Sequence, residues 1–175
     1  DLRFQNPSWK SVVEKIGLRL ISQCSSFENF EKFLECCGLP ELNEKVAELI
    51  LQKENVPTKL LGKIVLNVQK DVLSERAAER IWDREKELSD EDSHMLVWIA
   101  VSVKSPIRNK ACEAMLKRNN WKENLSLLFK MDETPYKEGW ALAFLRGKNW
   151  GDRDLLWCIV EYIKGDVGRE AAQQL

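Results

Sequence analysis

The chain has 175 residues, 44% hydrophobic and 31% charged, with a formal net charge of -1 at pH 7. That hydrophobic share can supply a continuous core and excludes a disordered chain. The near-cancelling charge argues against a nonspecific polyanion binder, and apolar runs such as Met95 to Val103 fall well short of the ~20 residues a membrane span needs, so a soluble protein is expected.

From the N-terminus, Trp9 to Ile21 reads as an amphipathic helix with Val12, Val13, Ile16, Leu18 and Leu20 apolar. Phe27 to Cys37 reads as a second, closed by Gly38-Leu39-Pro40. These first 40 residues do not share the pattern that follows, and residues 1–40 are expected to form an atypical helical cap. The chain begins at Asp1 rather than Met, which leaves room for a removed leader or an upstream domain.

From residue 41 onward the sequence repeats. Glu44-Lys45-Val46-Ala47-Glu48 and Glu75-Arg76-Ala77-Ala78-Glu79 stand 31 residues apart, and Asn109-Lys110-Ala111-Cys112-Glu113 and Lys137-Glu138-Gly139-Trp140-Ala141 stand 28 apart. Leu96 to Cys112 aligns without a gap on Leu156 to Ala172 at an offset of 60. The period is therefore near 31, and each unit reads as two helices. Ser89-Asp90-Glu91-Asp92 supplies a start signal for one first helix, with Ser89 capping free amides and the carboxylates favouring the positive end of the dipole. In another, Asp154 to Lys164, Leu155, Cys158, Ile159 and Tyr162 recur at three- and four-residue steps. Ser105-Pro106 and Gly165-Asp166 reverse the chain, and the second helix opens on a charged residue and a small pair, as in Arg76-Ala77-Ala78. Leu175 falls inside a second helix, so the array is expected to continue beyond it or to end frayed.

Ser105-Pro106-Ile107-Arg108-Asn109-Lys110-Ala111-Cys112-Glu113-Ala114-Met115-Leu116 and Asp166-Val167-Gly168-Arg169-Glu170-Ala171-Ala172-Gln173-Gln174-Leu175 resemble the aspartate/proline, valine, arginine, alanine-alanine, leucine signature of HEAT repeats. The short period is similar to that of the subclass first noted in phycobilisome lyases. Gly139-Trp140 departs from the small-small pattern. The resemblance implies an all-α fold, a right-handed α-solenoid in which residues 41–175 form about four helix pairs in one continuous domain. Tetratricopeptide and ankyrin signatures are absent.

No catalytic constellation stands out. The single histidine, His94, lies in an acidic helix entry without a nucleophile or second histidine, and P-loop, dinucleotide, HExxH and GxSxG motifs are lacking. Carboxylate pairs such as Asp90 and Glu91 or Asp152 and Asp154 are explained by helix-dipole stabilisation. Five cysteines (Cys24, Cys36, Cys37, Cys112, Cys158) follow no zinc or disulfide spacing, and they read as reduced, mostly buried thiols of a cytoplasmic protein. The adjacent Cys36-Cys37 pair lacks the further ligands that a metal needs. No catalytic residue, metal or cofactor is expected.

Among the seven tryptophans, Trp98, Trp140 and Trp157 occupy expected core stripes. Trp121 and Trp150 instead stand at helix ends beside cations, and Lys117, Arg118, Trp121, Trp150 and Arg153 form the candidate binding set, where an aromatic with arginine can anchor a peptide or stack on a base. The expected function is a non-catalytic scaffold gripping another protein or peptide on its concave face. The alternative is a nucleic-acid binder or enzyme similar to the HEAT-like alkylpurine DNA glycosylases, for which Trp150, Asp152 and Arg153 are the nearest counterparts. A phycobilin lyase or related chaperone rests on the repeat subclass alone. The cations Lys117, Arg118, Lys122, Arg146, Lys148 and Arg153 make the later repeats basic.

Overall fold

A computed structural model describes residues 7–84, 88, 94–117, 125–129, 136–147 and 150–175. The described residues are all-α, with no strand among them. The chain divides into two compact units, Asp1–Arg84 and Glu85–Leu175, and this division falls inside the segment 41–175 that the sequence groups together.

The first unit contains α1 (Pro7–Gln23), α2 (Phe27–Cys36), α3 (Pro40–Leu51), α4 (Thr58–Asn67) and α5 (Asp71–Trp82). Local signals set these bounds. The Asn29 amide donates to Ser26 Oγ at 3.2 Å, capping α2, and Pro40 opens α3, where a missing N–H costs nothing. Helix α2 packs on α3 as α4 packs on α5; α4 lies beside α2, and α3 lies between α1 and α5. The core is Phe30 and Leu34 of α2, Val46, Ala47 and Ile50 of α3, Leu60, Leu61 and Ile64 of α4, and Ala77, Ala78 and Ile81 of α5. Burying an aliphatic side chain of this kind contributes about 1.5–3 kcal/mol. The small pairs Val46-Ala47 and Ala77-Ala78 are buried one repeat apart and let neighbouring helices approach.

Charges on the outside follow the same register. Lys59 pairs with Glu31 at 2.7 Å and Lys63 with Glu35 at 2.8 Å, both joining α4 to α2. Lys63, by hydrogen bond and charge, holds the Glu35 carboxyl below its usual range. Such exposed pairs fix register more than they stabilise. Arg84 Nη1 donates to the Val56 carbonyl at 2.7 Å and Arg80 Nη2 to the Lys53 carbonyl at 2.9 Å, tying the loop after α3 to α5.

The second unit contains α6 (His94–Ser102), α7 (Pro106–Lys117), α8 (Leu125–Phe129), α9 (Tyr136–Arg146), α10 (Arg153–Tyr162) and α11 (Asp166–Gln173). Here α8 lies beside both α6 and α10, and α9 lies beside both α7 and α11, while α6 packs on α7 and α10 on α11. Met95, Leu96 and Ile99, Ala111 and Cys112, Phe129, Trp140 and Phe144, Leu156 and Ile159, and Ala171 are buried between them.

Four first helices end in the same way. The amides of Cys37, Val68, Val103 and Ile163 each donate to the carbonyl four residues back, at 2.8, 3.1, 3.0 and 2.8 Å, and the next helix begins three residues later. Cys37, Val68 and Ile163 are extended, a conformation that suits the β-branched residues at two of these places. The second helix then closes onto the exposed carbonyl. Asn43 Nδ2 donates to the Cys37 carbonyl at 3.1 Å, and Ser74 Oγ donates to the Val68 carbonyl at 2.8 Å; both side chains are buried. At the last junction Gly168, one residue earlier in its helix than Asn43 and Ser74 are in theirs, lies against the Ile163 carbonyl.

Several sequence expectations need correction. Helix α1 buries Gly17 and Ile21, and of the apolar residues counted in the sequence Val12, Ile16, Leu18 and Leu20 are exposed. Trp157 is also exposed, because α10 buries Leu156, Ile159 and, just past its end, Ile163, and a residue directly after Leu156 points away from that arc. In α9 the buried pair is Trp140-Ala141, one residue later than the alignment places it. Only Cys112 of the five cysteines is fully buried, and Cys36 is exposed. The cap at Ser89 lies outside the described residues.

The junction generates a direct prediction. A Cβ on Gly168 would overlap the Ile163 carbonyl oxygen, a backbone atom that cannot swing aside. Gly168→Ala is expected to destabilise the protein by about 1–3 kcal/mol in denaturant unfolding. Gly38→Ala, whose Cβ meets nothing within 4 Å, serves as the control and should leave the midpoint nearly unchanged.

Candidate functional site

The places where one helix pair passes to the next collect the candidate residues of the second unit. Lys117 is exposed at the last turn of α7, where a cation also suits the negative end of the helix dipole. Arg146 is exposed at the end of α9. Trp150 and Arg153 stand together at the head of α10, whose first turn is fixed by Asp152 accepting the Leu155 amide at 3.1 Å. Arg118 and Trp121 lie outside the described residues, as do Lys122 and Lys148. Of the five candidates, Lys117, Trp150 and Arg153 are therefore described, the last two within three residues of each other at the head of α10. Lys117 belongs to a helix whose neighbours are α6 and α9, whereas α10 lies beside α8 and α11.

A third residue joins the α10 group. Trp157 is 61% exposed and Trp150 45%, and they are the large apolar side chains that this unit leaves in solvent among its described residues. Trp157 follows Arg153 by four residues and Asp154 by three, which places all three on one side of α10. Arg153 Nη2 donates to the Leu175 carbonyl at 3.2 Å, which holds the head of α10 against the end of α11. Arg153, Asp154 and Glu161 are exposed along the same helix. Opposite charges thus frame two aromatic rings, an arrangement suited to a mixed protein surface more than to a polyanion.

Other polar features have structural explanations. His94 opens α6, half-buried, with its ring edge-on to Trp98 at 4.6 Å between centroids. Tyr136 Oη donates to Glu113 Oε1 at 2.9 Å, bridging α9 and α7, and the carboxylate that accepts this proton raises the phenol's pKa. Arg108 Nε and Trp140 Nε1 are buried without a hydrogen-bond partner. Among the described residues no group of three or more His, Cys, Asp or Glu could hold a metal ion. No described helix is long and apolar enough to cross a membrane.

The thiols differ sharply in environment. Burial pushes the Cys112 thiol up to about 11, against a smaller opposing effect of Arg108. In the window between the ordinary thiol range and that value, the folded chain keeps a proton that the unfolded chain has released. The Cys112 contribution to stability is therefore lost as pH rises through the window. At pH 8, Cys36 is expected to react with an aromatic disulfide reagent as an open thiol, and Cys112 roughly 100-fold or more slower, only as the unit opens. Mass mapping of the labelled cysteines checks this order, and fast labelling of Cys112 in the folded chain would contradict its burial.

Compared with protein-family models, curated proteins and solved structures, the chain gives no match.

Proposed function

We propose that this chain is a HEAT-like α-solenoid serving as a non-catalytic scaffold for another protein, and that the head of α10 is part of its partner surface. The alternation of neighbours supports the architectural half of this reading: first helices lie beside first helices and second beside second within each unit. Pairs that repeat near 31 residues stack in this manner in helical repeat proteins. Free cysteines fit a reducing, cytoplasmic setting.

One observation carries the functional half. Trp150 and Trp157 are exposed, Trp157 on the side of α10 that carries Arg153, and tryptophan and arginine dominate the binding energy of protein interfaces. Among the described residues of this unit the two indole rings are the exposed large apolar side chains, which supports a surface that another molecule covers. Asp154 and Glu161 along the same helix weigh against a nucleic-acid backbone as that molecule.

Affinity capture from a lysate of the source organism, with and without nuclease, tests the reading. The wild-type chain is expected to retain a defined protein under nuclease, and Trp150→Ala/Trp157→Ala to weaken that association by about 2 kcal/mol or more, roughly 30-fold. Loss of the captured material on nuclease treatment would favour a nucleic-acid partner. An unchanged protein partner with the double variant would remove α10 from the interface.

A further inference from the structure

The exposed stripe of α1 has a buried counterpart in the same unit. Val12, Ile16 and Leu20 stand at four-residue steps, 30 residues before Leu42, Val46 and Ile50 of α3, and 31 residues further on come Leu73, Ala77 and Ile81 of α5. In α3 and α5 all six of these side chains are buried. In α1 the three are 46%, 54% and 50% exposed. The residues beside them keep the buried pattern: Gly17 and Ile21 of α1 correspond to Ala47 and Leu51 of α3, and all four are buried.

The α3 stripe shows what covers such a face. Leu42 abuts α1 so closely that a Cβ on Gly17 would overlap Leu42 Cδ1. Helix α3 thus presents at least the head of this stripe to the helix on its N-terminal side. Helix α1 offers the same stripe in the same register, with solvent where α3 has a helix.

Charge selects the occupant. Lys15 and Arg19, one turn apart, are exposed along the edge of the α1 stripe, and the acidic Glu14 lies on the half-buried side. Two copies of α1 packed antiparallel about Ile16 would bring one basic edge against the other, which disfavours self-pairing. A membrane surface is also a poor fit. An interfacial helix immerses its whole apolar face, but here Gly17 and Ile21 are already committed to the interior of the unit.

We propose that α1 is a docking face for an amphipathic helix of another protein, one that carries an aliphatic stripe flanked by acidic residues. The partner helix lies on Val12, Ile16 and Leu20 as α1 lies on α3, and its carboxylates face Lys15 and Arg19. This surface is independent of the tryptophans of α10.

The test uses the whole chain and designed fluorescein-labelled helical peptides of about 18 residues. One has leucines at four-residue steps flanked by glutamates; the other has the same leucines flanked by lysines. Anisotropy should show saturable binding of the acidic peptide, with the basic peptide weaker by about tenfold or more. Ile16→Lys and the pair Lys15→Glu/Arg19→Glu should each weaken the acidic peptide by about tenfold or more, the second with loss of salt dependence. All these side chains are exposed, and circular dichroism verifies that each variant keeps the wild-type fold. Absence of saturable binding, equal affinity for both peptides, or indifference to the α1 variants would overturn the proposal. So would co-sedimentation of the wild-type chain with phosphatidylserine vesicles that Ile16→Lys abolishes, which would assign the stripe to a membrane.

Discussion

The three-residue junction between the two helices of a pair is the constraint from which the rest of the structure follows. Its first residue ends one helix in extended geometry, and its backbone carbonyl is left facing the first turn of the next helix. A carbonyl there must be satisfied or closely covered, because an unpaired buried acceptor costs about 1–3 kcal/mol. Asn43 and Ser74 meet the requirement by donating a hydrogen bond, while at the last junction the backbone of Gly168 packs closely on the Ile163 carbonyl. With so short a connection the second helix has little choice but to fold back along the first. The small pairs Val46-Ala47, Ala77-Ala78 and Ala111-Cys112 then fall at the contact.

This explains why so much of the architecture was legible before the structure was seen. Proline at 40 and 106, glycine at 165, and the small pairs after them recur because the junction demands them. Their spacing exposes the period directly. What periodicity does not disclose is which arc of an apolar helix is turned inward. From Leu155 to Val160, α10 is apolar without interruption, so a helical wheel cannot choose Leu156 and Ile159 over Trp157. In α1 the counted stripe omitted Gly17, whose burial comes from the close approach of Leu42. A glycine carries no hydrophobic signal, yet it marks the face that packs. The candidate binding set was legible only as helix ends. Trp150 and Arg153 were found because the loop around them is rich in glycine and charge, and Trp157 was missed because it resembles core.

Two apolar features stand open to solvent. A fold that fills its interior with repeated aliphatic layers has no structural use for exposed indole rings or for an open aliphatic stripe beside lysine and arginine. On the function proposed above, another molecule supplies the missing contacts. The aromatic head of α10 and the aliphatic side of α1 differ in chemistry, so they suit different contacts: one mixed and anchored by large rings, the other helical and complementary in charge. On the scaffold reading proposed above, a stack of repeats offers distinct surfaces in this way, because each layer is stabilised mainly by its neighbours and is free to vary outward.

Native-state amide exchange at Cys37, Val68, Val103 and Ile163 tests the junction most directly. If the junctions hold each pair together, these amides should exchange only with the unfolding of their unit, as slowly as the interiors of α4 and α10. Exchange at the rate of the exposed loop residue Glu54 would show that the junctions open by themselves, and would contradict the account.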